Sequence, residues 1–171
     1  MIEQVRTFIR DFNAKHGPFN NVLDVGALDV NGNVRETFKD ASYVGLDMRD
    51  GPNVDVVLNG HELSTRWPEP HFDLVLCCDT LEHDNMFWLT VAEMRKVLKP
   101  GGWMLITVPS LWHGKHDHPS DYYRFFETAL NDAFFEAYED VVTEVGCWSS
   151  GANGERPDEI FGYGRKPLHH V

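Results

Sequence analysis

The stretch from Phe72 to Val108 limits the possible folds more than any other part of the chain. Two short apolar runs, FDLVLCC at Phe72–Cys78 and WMLITV at Trp103–Val108, flank a helical pattern at Met86–Leu98. That pattern carries Phe87, Val91, Met94 and Leu98 on one stripe, and Lys99-Pro100-Gly101-Gly102 stops it. A nearly unbroken apolar run offers no polar face to water, so it belongs in a sheet covered on both sides. Strand, helix and strand in that order predict a parallel crossover and an α/β protein.

The flanking sequence extends the pattern in both directions. Met1–Lys15 reads as an amphipathic helix with Val5, Phe8, Ile9 and Phe12 on one face, ended by His16-Gly17-Pro18. Strands are expected at Asn21–Val25, Ser42–Asp47 and Val54–Leu58, with a helix near Val34–Lys39. After the fifth strand comes a polar, aromatic and His-rich loop, Pro109–Arg124. A helix near Glu127–Tyr138 and a strand near Val141–Cys147 follow; Ser149–Asp158 reads as a flexible Gly-rich loop, and Ile160–Arg165 as a last, antiparallel strand. The expected fold is a doubly wound, mostly parallel sheet in a single domain spanning 1–171. One feature resists. Only Met48–Asn53 separates strands two and three, whereas a parallel crossover usually takes about a dozen residues. Either an irregular loop makes that crossing, or the third strand is short and marginal.

Composition narrows the function classes. The 171 residues suit one domain, and 42% hydrophobic with 12% aromatic content is enough for a core. No apolar run of membrane-spanning length and no signal segment is visible, so a cytoplasmic location without membrane association is expected. Cys77 and Cys78 are adjacent in an apolar run, and Cys147 stands apart, which fits buried thiols better than disulfides or a CxxC metal site. A formal net charge of −12 disfavours a phosphate backbone as partner, because nucleic-acid affinity rests on Lys and Arg neutralising phosphates.

In an open α/β sheet, ligands bind beyond the carboxyl ends of the strands, where strand order reverses. The segment after strand one is LDVGALDVNG, with Asp24, Gly26 and Asp29. Gly26 lets a backbone approach a ligand closely. This is not a GxGxxG turn: Leu28 occupies the place of the second glycine and Asp29 repels phosphate, so a dinucleotide is disfavoured. S-adenosylmethionine (SAM) carries no phosphate, and its ammonium and sulfonium suit Asp24 and Asp29. Strand two ends in Asp47, followed by Met48. An acid there, roughly 20 residues past the glycine turn, is placed to accept both hydroxyls of a ribose; otherwise Asp47 simply opens a turn.

VLDVGALDVNG, YVGLDMRDG, FDLVLCCDTLEHD and LKPGGWMLITVP resemble, in order and spacing, the successive motifs of class I SAM-dependent methyltransferases. The branch with Leu-Glu-His after strand four is the most similar. The resemblance runs over roughly Asn21–Val108, with an echo at His118–Phe126. It implies SAM as cofactor, with Asp24 and Gly26 by the methionine part, Asp47 on the ribose, and Met48 beside it. It also implies Asn59-Gly60-His61 at the adenine, and Asp79 with Thr80 on the pocket floor. The chain departs from the pattern in lacking the second motif glycine, and in having Asn59 where an acid often meets the adenine amine.

Methyl transfer from a sulfonium is an in-line displacement on an activated donor, so a base is needed only if the acceptor must lose a proton. Three regions can supply one. Glu82-His83 is the first, with His83 as base, or else as a residue that caps the next helix. The second is the expected lid loop 109–124, with His113, His116, Asp117, His118, Tyr122 and Arg124. His118 and Tyr122 are its candidate catalytic residues, and Arg124 reads equally as a packing and salt-bridge residue. The loop's histidines permit a metal in principle, but His116 and His118 share an extended face from which His113 points away, so no metal is expected. Trp148 with Ser149-Ser150 is the third region, and Trp148 more simply fills core. DNA-base methylation is not expected, since neither a Pro-Pro-aromatic run after strand four nor a Pro-Cys pair occurs. The acceptor is expected to be a small molecule, a sugar or a protein side chain, a small molecule before nucleic acid, with a homo-oligomer possible. The alternative is a non-catalytic SAM-binding or structural module acting with a partner protein; an NAD-dependent oxidoreductase is a distant third.

Overall fold

The structure, a computed structural model, describes residues 3–116, 119–151 and 154–168, with only the backbone path for 147–151 and 154–156. Helix α1 (Glu3–His16) leads into β1 (Asn21–Val25), and β2 (Ser42–Asp47), β3 (Val56–Val57) and β4 (Phe72–Cys78) follow. Between β3 and β4 lies a short α2 (Leu63–Arg66). Next come α3 (Phe87–Val97), β5 (Leu98–Pro109), α4 (Glu127–Ala129), β6 (Glu139–Gly151) and β7 (Gly154–Arg165). They build one seven-stranded sheet in the order β3-β2-β1-β4-β5-β7-β6. The first five strands pair in parallel, and β7 inserts antiparallel between β5 and β6.

Strand periodicity explains why the central runs are apolar throughout. Leu23, Val25, Val75, Cys77, Met104 and Ile106 pack toward α3, while Val22, Leu74, Leu76, Cys78 and Leu105 pack toward α1. With both faces covered, neither set can be polar. Each fully buried leucine among them adds about 2 kcal/mol to the drive for folding. Burial also pushes the pKa of the Cys77 and Cys78 thiols well above the free value, keeping both protonated. Among the described residues no helix is long and apolar enough to cross a membrane.

Several element boundaries differ from expectation. The helix expected at Val34–Lys39 is a single 3₁₀ turn, Arg35–Phe38, which buries only Phe38. Strand three shrinks from Val54–Leu58 to two residues, and an irregular loop crosses to it, so both expectations for that crossing hold. Arg35 holds this loop through Asn53 and Asp55, and Asp55 also accepts from Gly45 N–H. The helix expected near Glu127–Tyr138 is cut to α4 and a π-turn, Leu130–Phe134. The π-turn buries Leu130 and Phe134, and Phe135 just past it is buried too. Most different is 149–158, expected as a loop. It continues the β6–β7 ladder, with Ser149 opposite Arg156 and Gly151 opposite Gly154. Backbone pairing satisfies a Gly-rich polar segment without any apolar pattern.

Candidate active site

Strand β1 has β2 on one side and β4 on the other, so the connections leave it in opposite directions and a crevice opens beyond the strand tips. Pairing of Val25 with Leu46 brings the Gly26 turn beside Asp47. The Leu46 carbonyl accepts from both Gly26 N–H (2.8 Å) and Ala27 N–H (2.9 Å), which locks the two tips together. Gly26 has φ +83°, and a Cβ there would lie 2.1 Å from the Thr80 hydroxyl oxygen, so only glycine fits between β1 and the loop after β4.

The carboxylates around this crevice differ in what occupies them. Asp24 is 3% exposed; it accepts from the Tyr43 hydroxyl, and burial raises it to about 6 despite that bond. Asp47 sits at the end of β2, with Oδ1 accepting from Arg49 N–H at 2.9 Å. Met48 beside it is 67% exposed, an apolar side chain free to cover a flat ligand. Asp29 is placed differently. Its two oxygens accept from Gly32 N–H and the Asn33 amide, both at 2.6 Å, which also hold its carboxyl below the usual range. Its charge is spent on closing the turn.

The third tip comes next to the second, because Leu58 N–H donates to Asp47 C=O. Asn59 caps the following turn by accepting from His61 N–H. Gly60 backs onto α3, where a Cβ would meet the Thr90 hydroxyl at 2.9 Å. His61 Nε2 lies 2.9 Å from Asp84, which also accepts from the Thr90 hydroxyl and Met86 N–H. Asp84 was not among the candidate residues, yet it ties the Asn59–His61 turn to the loop after β4.

On the other side of the crevice the groups are more deeply buried. Asp79 has φ +49°, and its Oδ1 accepts from the Thr107 hydroxyl at 2.6 Å. Glu159, from the antiparallel β7, is 3% exposed. Burial first, then the charge of Asp79 and a hydrogen bond to it, raise Glu159 to about 11, so it stays protonated. Glu82 is fully buried and its carboxyl is raised by desolvation. Sequence reading missed Glu159 because nothing local marks it; only the insertion of β7 beside β5 brings it there.

Around Glu82 the loop 109–124 folds back. Tyr122 N–H donates to Glu82 C=O at 2.8 Å, and its ring stays half exposed. His83 does not cap α3. Its Nδ1–H donates to Ser120 C=O, and Nε2 stands 3.5 Å from Glu82 Oε1. Arg124 is the structural residue of this loop. It donates to the carbonyls of His113, Gly114 and Tyr123 and forms a two-armed pair with Asp121, at 2.5 and 2.6 Å. Arg124 accordingly holds the carboxyl of Asp121 far below its ordinary range. His118 and Asp117, and the side chains of Trp148, Ser149 and Ser150, lie outside the described residues.

Residues 18–106, more than half of the chain, match the family described as "Methyltransferase domain". No curated protein sequence matches. Among solved structures, the fold is similar to a SAM-dependent methyltransferase from Archaeoglobus fulgidus, with a TM-score of 0.73 at 14% identity, covering 96% of this chain and 94% of the other. It is also similar to the N-methyltransferase NodS from Bradyrhizobium japonicum, with a TM-score of 0.68 at 16% identity over 96% and 95% of the two chains. A third is 1,6-didemethyltoxoflavin-N1-methyltransferase from Burkholderia thailandensis, with a TM-score of 0.68 at 18% identity over 96% and 77%. The chain thus belongs to the methyltransferase-domain family and, by family and fold together, is a SAM-dependent methyltransferase.

Proposed function

We propose that SAM lies across the tips of β1, β2 and β3 and gives its methyl group to a small molecule held between the Leu81–His83 turn and the 109–124 loop. The observation that carries this reading is the hydrogen-bonded junction of the Gly26 turn with Asp47. It sets a turn without a Cβ beside a carboxylate at the strand-order reversal. In this reading Asp24 and Gly26 border the methionine part, Asp47 accepts from the ribose hydroxyls, and Met48 covers the adenosine. Asn59, Gly60 and His61 border the adenine, and Asp79 with Thr80 forms the floor. Asp29 acts through the turn it closes rather than by touching the ligand.

The reaction forms a bond from the acceptor to the methyl carbon as the S–CH₃ bond breaks, and the sulfonium becomes a neutral thioether. Any acceptor proton must leave. His83 is placed to take it, since its Nδ1–H is held by Ser120 and its Nε2 keeps a lone pair. Tyr122 and His118 orient the acceptor from the loop, which acts as a lid. A small-molecule acceptor accords with the net charge of −12, which repels nucleic acid. It also accords with the N-methyltransferases of similar fold, one of them holding 1,6-didemethyltoxoflavin and S-adenosylhomocysteine. The reading includes a single domain over 1–171, a cytoplasmic site of action and possible self-association.

The test is thermal stability with and without SAM, followed by methyl transfer to a pool of small amines, hydroxyls and sugars. A ligand of the native state raises the melting temperature by mass action. A melting temperature indifferent to SAM would end the proposal; a SAM-dependent rise with no transfer to any pool would leave a binder in place of an enzyme.

A further inference from the structure

We propose that Glu82, His83 and His116 form a site for one divalent transition-metal ion, of the zinc or cobalt type, joining the 109–124 loop to the turn after β4. The chain alone points the other way, because Glu82-His83 reads as a local pair and His116 only with its neighbours in the loop. The fold brings Glu82, His83 and His116 together, with one potential ligand atom from each lying within 4.8 Å of the others.

The protonation pattern is what makes this cluster a ligand set. His83 Nδ1–H donates to Ser120 C=O, so a neutral ring presents Nε2 as a lone pair. His116 Nδ1 faces Gly114 C=O at 3.3 Å. It also lies 3.5 Å from Arg124 Nη2, but that nitrogen has two hydrogens, spent at 2.8 Å on Gly114 C=O and 2.6 Å on Asp121. His116 Nδ1 is therefore the donor, and its neutral ring too presents Nε2 as a lone pair. Both lone pairs converge on one oxygen: Glu82 Oε1 is 3.3 Å from His116 Nε2 and 3.5 Å from His83 Nε2. With Glu82 ionised, three acceptors facing each other repel unless a proton or a metal cation sits among them. A proton on His116 would satisfy that pair and leave His83 facing the carboxylate, whereas one metal ion satisfies all three.

Two further observations agree. Glu82 Oε2 is buried with no hydrogen-bond partner, at a side chain with no solvent exposure. An orphaned buried carboxylate oxygen demands compensation. The spacing is also right. Donors about 2.0–2.1 Å from a tetrahedral ion stand roughly 3.3–3.4 Å apart, which matches the two edges to Glu82 Oε1, and the two histidine nitrogens, within 4.8 Å of each other, close the third edge as the ion binds. Two imidazoles with one carboxylate suit zinc and its neighbours in the first row better than magnesium. Three protein donors leave one position open on the side of the half-exposed His116 and Tyr122, where an acceptor oxygen or nitrogen can bind. The other charged groups at the cluster are Asp79, Asp121 and Arg124, and Asp121 with Arg124 neutralise each other. The inference deepens the acceptor half of the proposed function: with an ion bound, His83 serves as its ligand, and activation of the acceptor passes to the ion.

The whole chain, stripped with a chelator, is titrated with Co²⁺ while the visible absorption of tetrahedral or five-coordinate cobalt is followed, and Zn²⁺ is then used to displace it. The expected result is one ion per chain, weakened at least about tenfold in His116→Ala and in His83→Ala, and unchanged in His113→Ala. Circular dichroism of each variant confirms that it folds. No cobalt spectrum, or one that survives both His116→Ala and His83→Ala, would overturn the site. Because the readout needs no methyl transfer, its failure leaves the SAM reading standing. A SAM melting shift that fails while cobalt binds would remove the SAM reading alone.

Discussion

The two halves of the crevice solve different electrostatic problems. At the tips of β1, β2 and β3 these accepting side chains are on short local turns: Asp47 accepts from Arg49 two residues on, Asp29 from Gly32 and Asn33, and the Asn59 amide oxygen from His61. Their geometry is set by neighbours in sequence. At the tips of β4, β5 and β7, Glu82 and Glu159 are buried, Asp79 is partly buried, and Glu159 meets the other two only through tertiary structure. The first half stays open to solvent at Met48. The second is a store of buried carboxyls whose protonation is set by burial and by one another. The contrast teaches that a binding surface can be written in local motifs, while a perturbed reaction site needs the sheet to converge distant segments.

Four measurements can break or sharpen that contrast. Arg124→Ala should cost the most, about 3 kcal/mol of unfolding free energy, because it strands the buried Asp121 and frees three carbonyls of the loop. Denaturant melts check this, and an unchanged midpoint would mean the loop does not depend on Arg124. Asp24→Asn should stabilise the ligand-free protein by about 3 kcal/mol above pH 6. The sign follows from its raised pKa: the neutral form is favoured in the fold, so its contribution is complete below about pH 4 and is lost as pH rises through about 6. Melting curves of both proteins at pH 4 and pH 8 should differ only at the higher value; equal gaps at both would show that Asp24 is not buried in the way described.

Asp47→Ala should leave stability nearly unchanged and weaken SAM by about 1–3 kcal/mol, through loss of charged hydrogen bonds to the ribose. Calorimetric titration reads it, and full affinity in the variant would take Asp47 out of the site. The smallest effect belongs to Glu159→Gln below about pH 4, within about 0.5 kcal/mol, since the side chain is uncharged there in both the folded and the unfolded chain. Its signature appears as pH rises. The unfolded chain ionises Glu159 from about pH 5 upward while the fold keeps it protonated to about 11, so the native protein should lose stability relative to the variant across neutral pH, and melts that stay parallel from about pH 4 to about pH 9 would refute a protonated Glu159.

What could be read from the chain alone follows the same division. Strands β1, β2 and β4 and helix α3 were legible because each is a short run whose periodicity depends only on its own side chains. The Gly26 turn and Asp47 were legible because a strand end and a glycine mark them locally. Asp29 was legible as part of that turn, but sequence could not tell a carboxylate offered to a ligand from one consumed by Gly32 and Asn33. The β6–β7 hairpin was missed over 149–158, since its ladder is made of backbone groups that leave no pattern in side chains.

By itself, the sequence determined a covered parallel sheet, the order of its strands with α1 and α3, and a glycine turn after β1, because apolar periodicity and turn chemistry act over a few residues. Only the tertiary structure decided that β7 would insert beside β5, that Glu159 would meet Asp79, and that His116 would reach Glu82 and His83. Those meetings depend on contacts between segments more than 30 residues apart, as between Glu82 and His116. Long-range pairing of that kind is selected by the packing of the whole sheet, and no local propensity encodes it.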